Sequence, residues 1–148
     1  MMKCLLCDNI LEPYYVYDFI TYKCYNCEQY YINSKHIDFF TQMIINNTIK
    51  CKSNRHKEIL FNICSLKDKS YNYLNNDIKC KNIECRKKCF VYQFKYKNLI
   101  FRECNFVGYY IIDLNNFKEY INKNYKLSLY YFYKEIIFNK IKKLFVKG

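Results

Sequence analysis

Residues 3–28 read KCLLCDNILEPYYVYDFITYKCYNCE and contain two Cys-x-x-Cys pairs, Cys4/Cys7 and Cys24/Cys27, with sixteen residues between the pairs. A two-residue gap lets both sulfurs of a pair face one tetrahedral ion, and cysteine thiolates are common ligands of structural Zn²⁺. The intervening residues are long enough for a β-hairpin that brings the two pairs together. The sequence therefore predicts one structural zinc site at these four cysteines, and the alternative is four ordinary buried thiols.

Residues that favour β-structure fill the space between the cysteine pairs. Residues 14–17 and 19–22 are rich in Tyr, Val, Ile and Thr, which predicts two strands with Asp18 at the turn and Pro13 at a strand edge or start. Residues 30–32 continue as a third strand. Both cysteine pairs also share the pattern Lys-Cys-x-x-Cys-acid, as two equivalent metal-binding loops would.

On these residues the chain resembles the zinc-ribbon family, and it is similar to small zinc-ribbon proteins of phage and viral type from AT-rich genomes. The resemblance covers residues 1–33 and implies a metal-clamped set of short antiparallel strands. The commoner ribbon pattern is Cys-Pro-x-Cys-Gly, whereas here Leu5 and Tyr25 replace the proline, and Asp8 and Glu28 replace the glycine. That glycine normally relieves a tight turn after the second ligand. The ligand spacing is unchanged.

The composition gives a formal net charge of +12 without identifying a partner. A basic chain attracts phosphates, and tyrosines offer stacking surfaces for unpaired bases. The chain nevertheless lacks Ala and Trp and is rich in Lys, Asn, Ile, Tyr and Phe, the residues with AT-rich codons. Codon bias alone would raise the Lys and Tyr content, so the charge by itself does not assign a nucleic-acid partner.

The middle of the chain is ambiguous. Residues 37–44 fit a helix with Ile37, Phe40 and Ile44 on its apolar face, but residues 39–45 also alternate as a strand does. We favour strands, with a hairpin turn at residues 46–47. Residues 58–64 form an apolar run that fits either type. Residues 75–77 predict an exposed turn.

Aromatic residues alternate with mostly polar ones over residues 90–96, which predicts an antiparallel strand with an aromatic face on the core. Residues 99–101 and 109–112 predict further strands. The tail predicts two helices, one with an Asn116/Glu119 capping box and one capped by Ser128. The expected fold class is α+β, with an N-terminal zinc ribbon, an antiparallel β-sheet and two C-terminal α-helices. We expect a ribbon at 1–33 and a second unit at 34–148, packed as one body.

The other cysteines and the histidines give weaker patterns. A candidate second metal cluster consists of Cys80, Cys85, Cys89 and Cys104. Its Cys-x4-Cys-x3-Cys spacing is not that of a metal-binding loop, so buried thiols are favoured and a second zinc ion is not expected. Cys51 and His56 form a loose pair, and both His36 and His56 are expected to be partly exposed.

Catalytic motifs are lacking in the sequence. It has no phosphate-binding glycine loop, nucleophile elbow or carboxylate cluster, and zinc held by four thiolates has no open position for water. We therefore expect no enzyme and no small-molecule substrate. The absence of a long apolar run and the ten cysteines predict a soluble intracellular protein without a membrane span.

Two functional hypotheses follow. The first is a nucleic-acid-associated accessory factor in transcription or replication. The second is a non-enzymatic protein-interaction module, an inhibitor or adaptor, in which zinc only holds the fold.

Overall fold

The computed structural model describes residues 3–51, 53–66, 72–79, 90–96, 99–104 and 108–146. Strands β1 to β3 precede two helices, four strands follow the helices, and one long helix ends the described chain. The bounds are β1 (Glu12–Val16), β2 (Phe19–Cys24), β3 (Gln29–Asn33), a 3-10 turn (Ser34–His36), α1 (Ile37–Thr48), α2 (Asn54–Cys64), β4 (Asn72–Lys79), β5 (Phe90–Tyr96), β6 (Leu99–Cys104), β7 (Tyr109–Ile112) and α3 (Leu114–Val146). The predicted α+β class with an antiparallel sheet is confirmed.

The described strands form one seven-stranded sheet in the order β1-β2-β3-β7-β6-β5-β4, and every neighbouring pair is antiparallel. Strand β3 pairs with β7, with Tyr31 opposite Ile111, so strands from both ends of the chain meet at the centre of the sheet. Strand β1, which contains Pro13, lies at an edge, as that proline predicts. The division of the chain after residue 33 stays a prediction.

The two central strands bury side chains on both faces of the sheet. Tyr31 and Ile32 on β3, and Ile111 and Ile112 on β7, are all almost completely buried. Successive residues of a strand point to opposite faces. Ile32 and Ile112 pack with the three helices, whereas Tyr31 and Ile111 pack with the cysteine pairs. The helices and the cysteine-rich loops therefore cover opposite faces of one sheet.

Helix α1 covers residues 37–48, so the preference for strands over residues 39–45 was wrong, and the apolar run at 58–64, which fitted either type, lies in helix α2. The buried residues of α1 are Ile37, Phe40, Thr41, Ile44 and Ile45. This i, i+3, i+4, i+7, i+8 spacing places all five on one helix face, whereas a strand would divide them between two faces. The pair 46–47 lies inside the helix instead of forming a turn, and the Asn47 side chain donates to the carbonyl of Met43.

Helix α2 packs on α3 around His56. The imidazole Nε2 lies 2.8 Å from the Ser128 hydroxyl, and the ring stacks on Phe132 with centroids 5.3 Å apart. His56 is only 4% exposed, which corrects the expectation of a partly exposed side chain. Burial lowers the pKa of His56 below its ordinary value of 6.5, so the neutral ring is favoured. His36 is exposed, as expected.

The tail is a single helix of 33 residues, so the prediction of two C-terminal helices was wrong. The N-terminal cap is Asp113, whose carboxylate accepts a hydrogen bond from the Asn116 amide at 3.1 Å, and not the predicted box at Asn116 and Glu119. Ser128 lies in mid-helix, where its hydroxyl donates to the carbonyl of Tyr125 at 2.6 Å. A serine can bond to its own helix in this way without ending it.

In the second half of the sheet, the predicted strands at 90–96, 99–101 and 109–112 are confirmed. The exposed turn predicted at 75–77 was wrong, because residues 72–79 form strand β4, which pairs with β5 through register shifts between Tyr73 and Ile78. Such irregular pairing is typical of β-bulges. The aromatic face predicted for residues 90–96 lies outside the described side chains.

Candidate metal centre

The structure brings the four N-terminal cysteine sulfurs together. All four sulfurs lie within 4.8 Å of one another, with Cys7 and Cys24 3.4 Å apart and Cys4 and Cys27 4.0 Å apart. A Zn–S bond length of about 2.3 Å in a tetrahedron would separate the sulfurs by about 3.8 Å. The spacing and the donor type therefore fit one tetrahedral, thiol-preferring cation. This is a zinc-ribbon-like cysteine cluster.

Two loops present the sulfurs, and in each loop a backbone amide donates to the first cysteine. In the first loop the amide of Leu6 donates to Cys4 Sγ at 3.4 Å, and in the second the amide of Cys27 donates to Cys24 Sγ at the same distance. The first loop is closed by a backbone hydrogen bond from the Asp8 amide to the Cys4 carbonyl at 3.0 Å. Amide donors of this kind stabilise a thiolate in the metal-bound state.

The two acidic residues that follow the cysteine pairs adopt a backbone conformation that suits glycine. Asp8 has φ 68° and Glu28 has φ 53°. A residue with a side chain reaches this left-handed region only at a cost, which is smaller for Asp than for Glu. The ribbon pattern has glycine at these same two positions, so the departure in sequence leaves the turn geometry in place and adds strain to it.

We expect Glu28→Gly to stabilise the metal-loaded protein by about 0.5–1 kcal/mol, since relieving the left-handed strain outweighs the added freedom of the unfolded chain. Asp8→Gly should give a smaller gain, because Asp tolerates this conformation better. Denaturant unfolding of the metal-loaded protein measures both. Glu12→Gly, on the exposed edge strand, is the matched control and should destabilise. If the Glu28→Gly variant is no more stable than the native chain, the inference that the backbone of Glu28 is strained is wrong.

Tyr31 reaches the cluster from the sheet and was not singled out by the sequence. Its hydroxyl lies 3.1 Å from Cys4 Sγ and accepts a hydrogen bond from the Leu5 amide at 2.9 Å. Burial and the neighbouring Cys4 sulfur raise the pKa of Tyr31, so the hydroxyl keeps its proton and can donate it to the sulfur. The period-2 pattern of β3 places Tyr30 and Tyr31 on opposite faces of the sheet, but it does not identify which of them contacts Cys4.

The thiols differ in their proton affinity. Burial disfavours the Cys7 thiolate, but hydrogen bonds from the Asn9 amide and from the Cys24 and Cys27 thiols outweigh this effect and lower the pKa of Cys7 to about 6. Burial, together with the charge on neighbouring sulfurs, raises the pKa of Cys24 and Cys27. A bound dication favours the thiolate form of all four, since thiolates are the ligating species.

Among the residues that the structure describes, no other candidate ligand joins this cluster. Within the described ranges, the four N-terminal cysteines are the only group of three or more potential ligands close enough to share an ion. Cys51 packs half-buried beside the helices, and Cys64 is buried among them. Three members of the candidate second cluster, Cys80, Cys85 and Cys89, lie outside the described residues, as does the side chain of Cys104.

A lysine surrounded by tyrosines lies directly beside the second cysteine loop. The Lys23 ammonium lies 4.9 Å from the ring centroid of Tyr14, 4.6 Å from that of Tyr25 and 5.2 Å from that of Tyr30. Burial opposes the charge, but the hydrogen bond and the electrostatic attraction to Tyr30 outweigh it and raise the pKa of Lys23. Tyr17 lies in the turn between β1 and β2, and the ammonium of Lys118 similarly lies 5.6 Å from its ring centroid. These six residues form two groups, because Tyr17 lies at the turn of the β1–β2 hairpin and Lys23 lies near its other end. We call the two groups together the tyrosine–lysine patch.

Comparisons with protein-family models, with curated proteins and with solved structures found no match to this chain. Among the described helices, none is both long enough and apolar enough to cross a membrane.

Proposed function

We propose that the protein is a nucleic-acid-associated accessory factor in which Zn²⁺, held by Cys4, Cys7, Cys24 and Cys27, has a structural role. Tetrahedral sites with four thiolates are typical of structural zinc. The zinc would fix the loop that carries Tyr25 and keep Lys23 next to it. Four cysteine ligands fill the coordination sphere, so the proposal includes no catalytic step at the metal.

The observation that supports nucleic acid as the partner is the tyrosine–lysine patch. Tyr25 is 54% exposed and Tyr17 is 43% exposed, so each ring has a surface on which an unpaired base can stack. Lys23 and Lys118 place positive charge beside these rings, where phosphates of a single strand would pass. Exposed aromatic rings with positive charge beside them are features of single-strand binding surfaces.

We expect the native protein to bind a labelled dT20 oligonucleotide with micromolar affinity at about 50 mM salt and to lose affinity steeply as salt rises. Tyr25→Ala should weaken binding about tenfold, because base stacking on one aromatic ring contributes about 1–3 kcal/mol. Fluorescence anisotropy across a salt series measures both effects. Tyr130→Ala, which removes an equally exposed tyrosine far along α3, is the matched control and should leave the affinity unchanged.

Absence of micromolar binding at about 50 mM salt would end the nucleic-acid proposal. The second candidate, a protein-interaction module, would then be favoured by a different surface. Tyr15 and Ile20 face each other across β1 and β2 and are 67% and 50% exposed, which leaves an apolar pair on the outer side of the hairpin. That function predicts a protein partner in pulldowns that Ile20→Asp abolishes.

A further inference from the structure

The C-terminal third of α3 projects beyond the rest of the described chain. The last described ion pair between α3 and the body joins Glu135 to Arg55, with a distance of 2.8 Å from Oε1 to Nη2. Residues 136–145 are all exposed. At a rise of about 1.5 Å per residue, the segment 136–146 extends about 16 Å past this contact.

This projecting segment, together with Tyr133 one turn before it, carries an apolar stripe on one side of the helix. We call it the outer stripe, and its residues are Tyr133, Ile137, Phe138, Ile141, Leu144 and Phe145. At about 100° per residue, they occupy an arc about 140° wide. Leu144 and Phe145 are 76% and 82% exposed.

The outer stripe does not continue the face that α3 packs on the core. The buried residues Phe117, Ile121 and Ser128 lie on nearly the opposite side of the helix from Ile137 and Ile141. On the core-facing side, the projecting segment turns polar, with Asn139 and Lys143. The apolar face thus changes sides where the helix leaves the body, and the protein's own core cannot cover the outer stripe.

The charges around the outer stripe are all positive. Lys140 lies beside one edge of the arc, Lys142 lies beside the other edge, and Lys143 lies on the back of the helix. The sequence contains no Asp or Glu after Glu135, and the Glu135 carboxylate already pairs with Arg55. A helix with a broad apolar arc, lysines along both edges and aromatic residues within it has the features of helices that lie in the interface of anionic bilayers.

We propose that the outer stripe binds the surface of an anionic lipid bilayer, with the projecting helix lying in the plane of the interface. The apolar arc would enter the boundary between headgroups and acyl chains, and the edge lysines would reach the phosphates of the headgroups. A second copy of this segment is a poorer occupant, because it would bring further lysines to the contact and no carboxylate to pair with them. Nucleic acid would neutralise the lysines and stack on the aromatic rings, but it would leave the aliphatic Ile137, Ile141 and Leu144 in water.

The test uses the full metal-loaded chain and vesicle sedimentation. Vesicles of equal parts phosphatidylglycerol and phosphatidylcholine should sediment the protein, and vesicles of phosphatidylcholine alone should bind it far more weakly. The double variant Ile137→Ser/Ile141→Ser should lower the partition coefficient at least tenfold, since two apolar side chains leave the stripe. Ile136→Ser is the matched control, because Ile136 is exposed but lies outside the arc, and it should bind as the native chain does.

A second experiment tests the contribution of the lysine charges with the double variant Lys140→Glu/Lys142→Glu. Losing each lysine should lower the partition coefficient about fivefold on anionic vesicles and have little effect on neutral ones. The proposal is overturned if native protein fails to sediment with anionic vesicles, or if Ile136→Ser weakens binding as much as the double variant. It is also overturned if the double variant abolishes a self-associated state or capture by a protein partner while vesicle binding stays unchanged. Affinity for dT20, which does not involve the outer stripe, should be the same in all these variants.

Discussion

Cys24→Ser is expected to lose the bound ion. It should also unfold the module formed by the two cysteine loops and by the end of the β1–β2 hairpin that adjoins them. Cys24 is fully buried, and its sulfur lies 3.4 Å from that of Cys7. The apolar cluster on this side of the sheet is small, with Leu5, Leu11 and Ile111 at its centre. Binding of a structural zinc ion by thiolates contributes about 10–16 kcal/mol in peptides of similar size, which exceeds what so small a cluster can supply.

The measurements are metal content per chain and circular dichroism. The variant should contain one ion fewer than the native protein and should keep most of its helical signal, because α1, α2 and α3 pack on the opposite face of the sheet. A chelator should have the same effect on the native chain. The measurement of metal content, made by elemental analysis, also distinguishes zinc from another thiol-preferring cation.

Cys64→Ser is the matched control for this substitution. Cys64 is as fully buried as Cys24 but lies among the helices, away from the metal cluster. The Cys64→Ser substitution should change the stability of the protein without changing the number of metal ions bound per chain. A Cys24→Ser protein that retains the full native count would contradict the four-cysteine site, and a native count of two would locate a second site among the cysteines at 80, 85, 89 and 104.

The N-terminal part of the fold could be predicted from the sequence because the constraints there are local. Ligand spacing fixes which sulfurs can share an ion. The turn at Asp18 and the edge position of Pro13 follow from the local preferences of one or two residues. These features place Cys4, Cys7, Cys24 and Cys27 together before any tertiary contact is known. The metal cluster was therefore the most predictable part of the molecule.

The errors in the helices arose where tertiary packing overrides a short pattern. Over residues 39–45, strand alternation and helical spacing fit the same residues, and only the sheet face under Phe40 and Ile44 decides between them. In α3 the apolar pattern shifts phase near Ser128, which in sequence resembles the start of a new helix. The structure gives a different reason for the shift: the first half of the helix faces the core and the second half exposes its apolar side to the surroundings.

The contact between Tyr31 and Cys4 had no sequence signal, since Tyr30 and Tyr31 are adjacent and the chain is rich in tyrosine. Which of the two meets the metal cluster depends on the register of β3 against β7. Register is a tertiary property, because moving the strand by one residue would turn Tyr31 to the helical side of the sheet.

Tyr31→Phe should weaken metal binding about 10- to 100-fold, which is the usual effect of removing a hydrogen-bond donor to a ligand. The substitution removes the donor to Cys4 Sγ and also leaves the Leu5 amide without its acceptor, so the metal-loaded protein should lose about 1–3 kcal/mol of stability as well. Competition with a chromophoric chelator measures the affinity, and denaturant unfolding measures the stability. A loss of stability without a loss of metal affinity would show that the hydroxyl supports only the loop.

Tyr22→Phe provides the control, because Tyr22 packs against the same cluster and loses the same atom. It should leave metal affinity unchanged, so a difference between the two variants isolates the hydroxyl that contacts Cys4. Equal metal affinity in Tyr31→Phe and Tyr22→Phe would mean that the Tyr31 hydroxyl does not stabilise the ligating thiolate. The sulfur would then depend on the Leu6 amide, 3.4 Å away, as its hydrogen-bond donor.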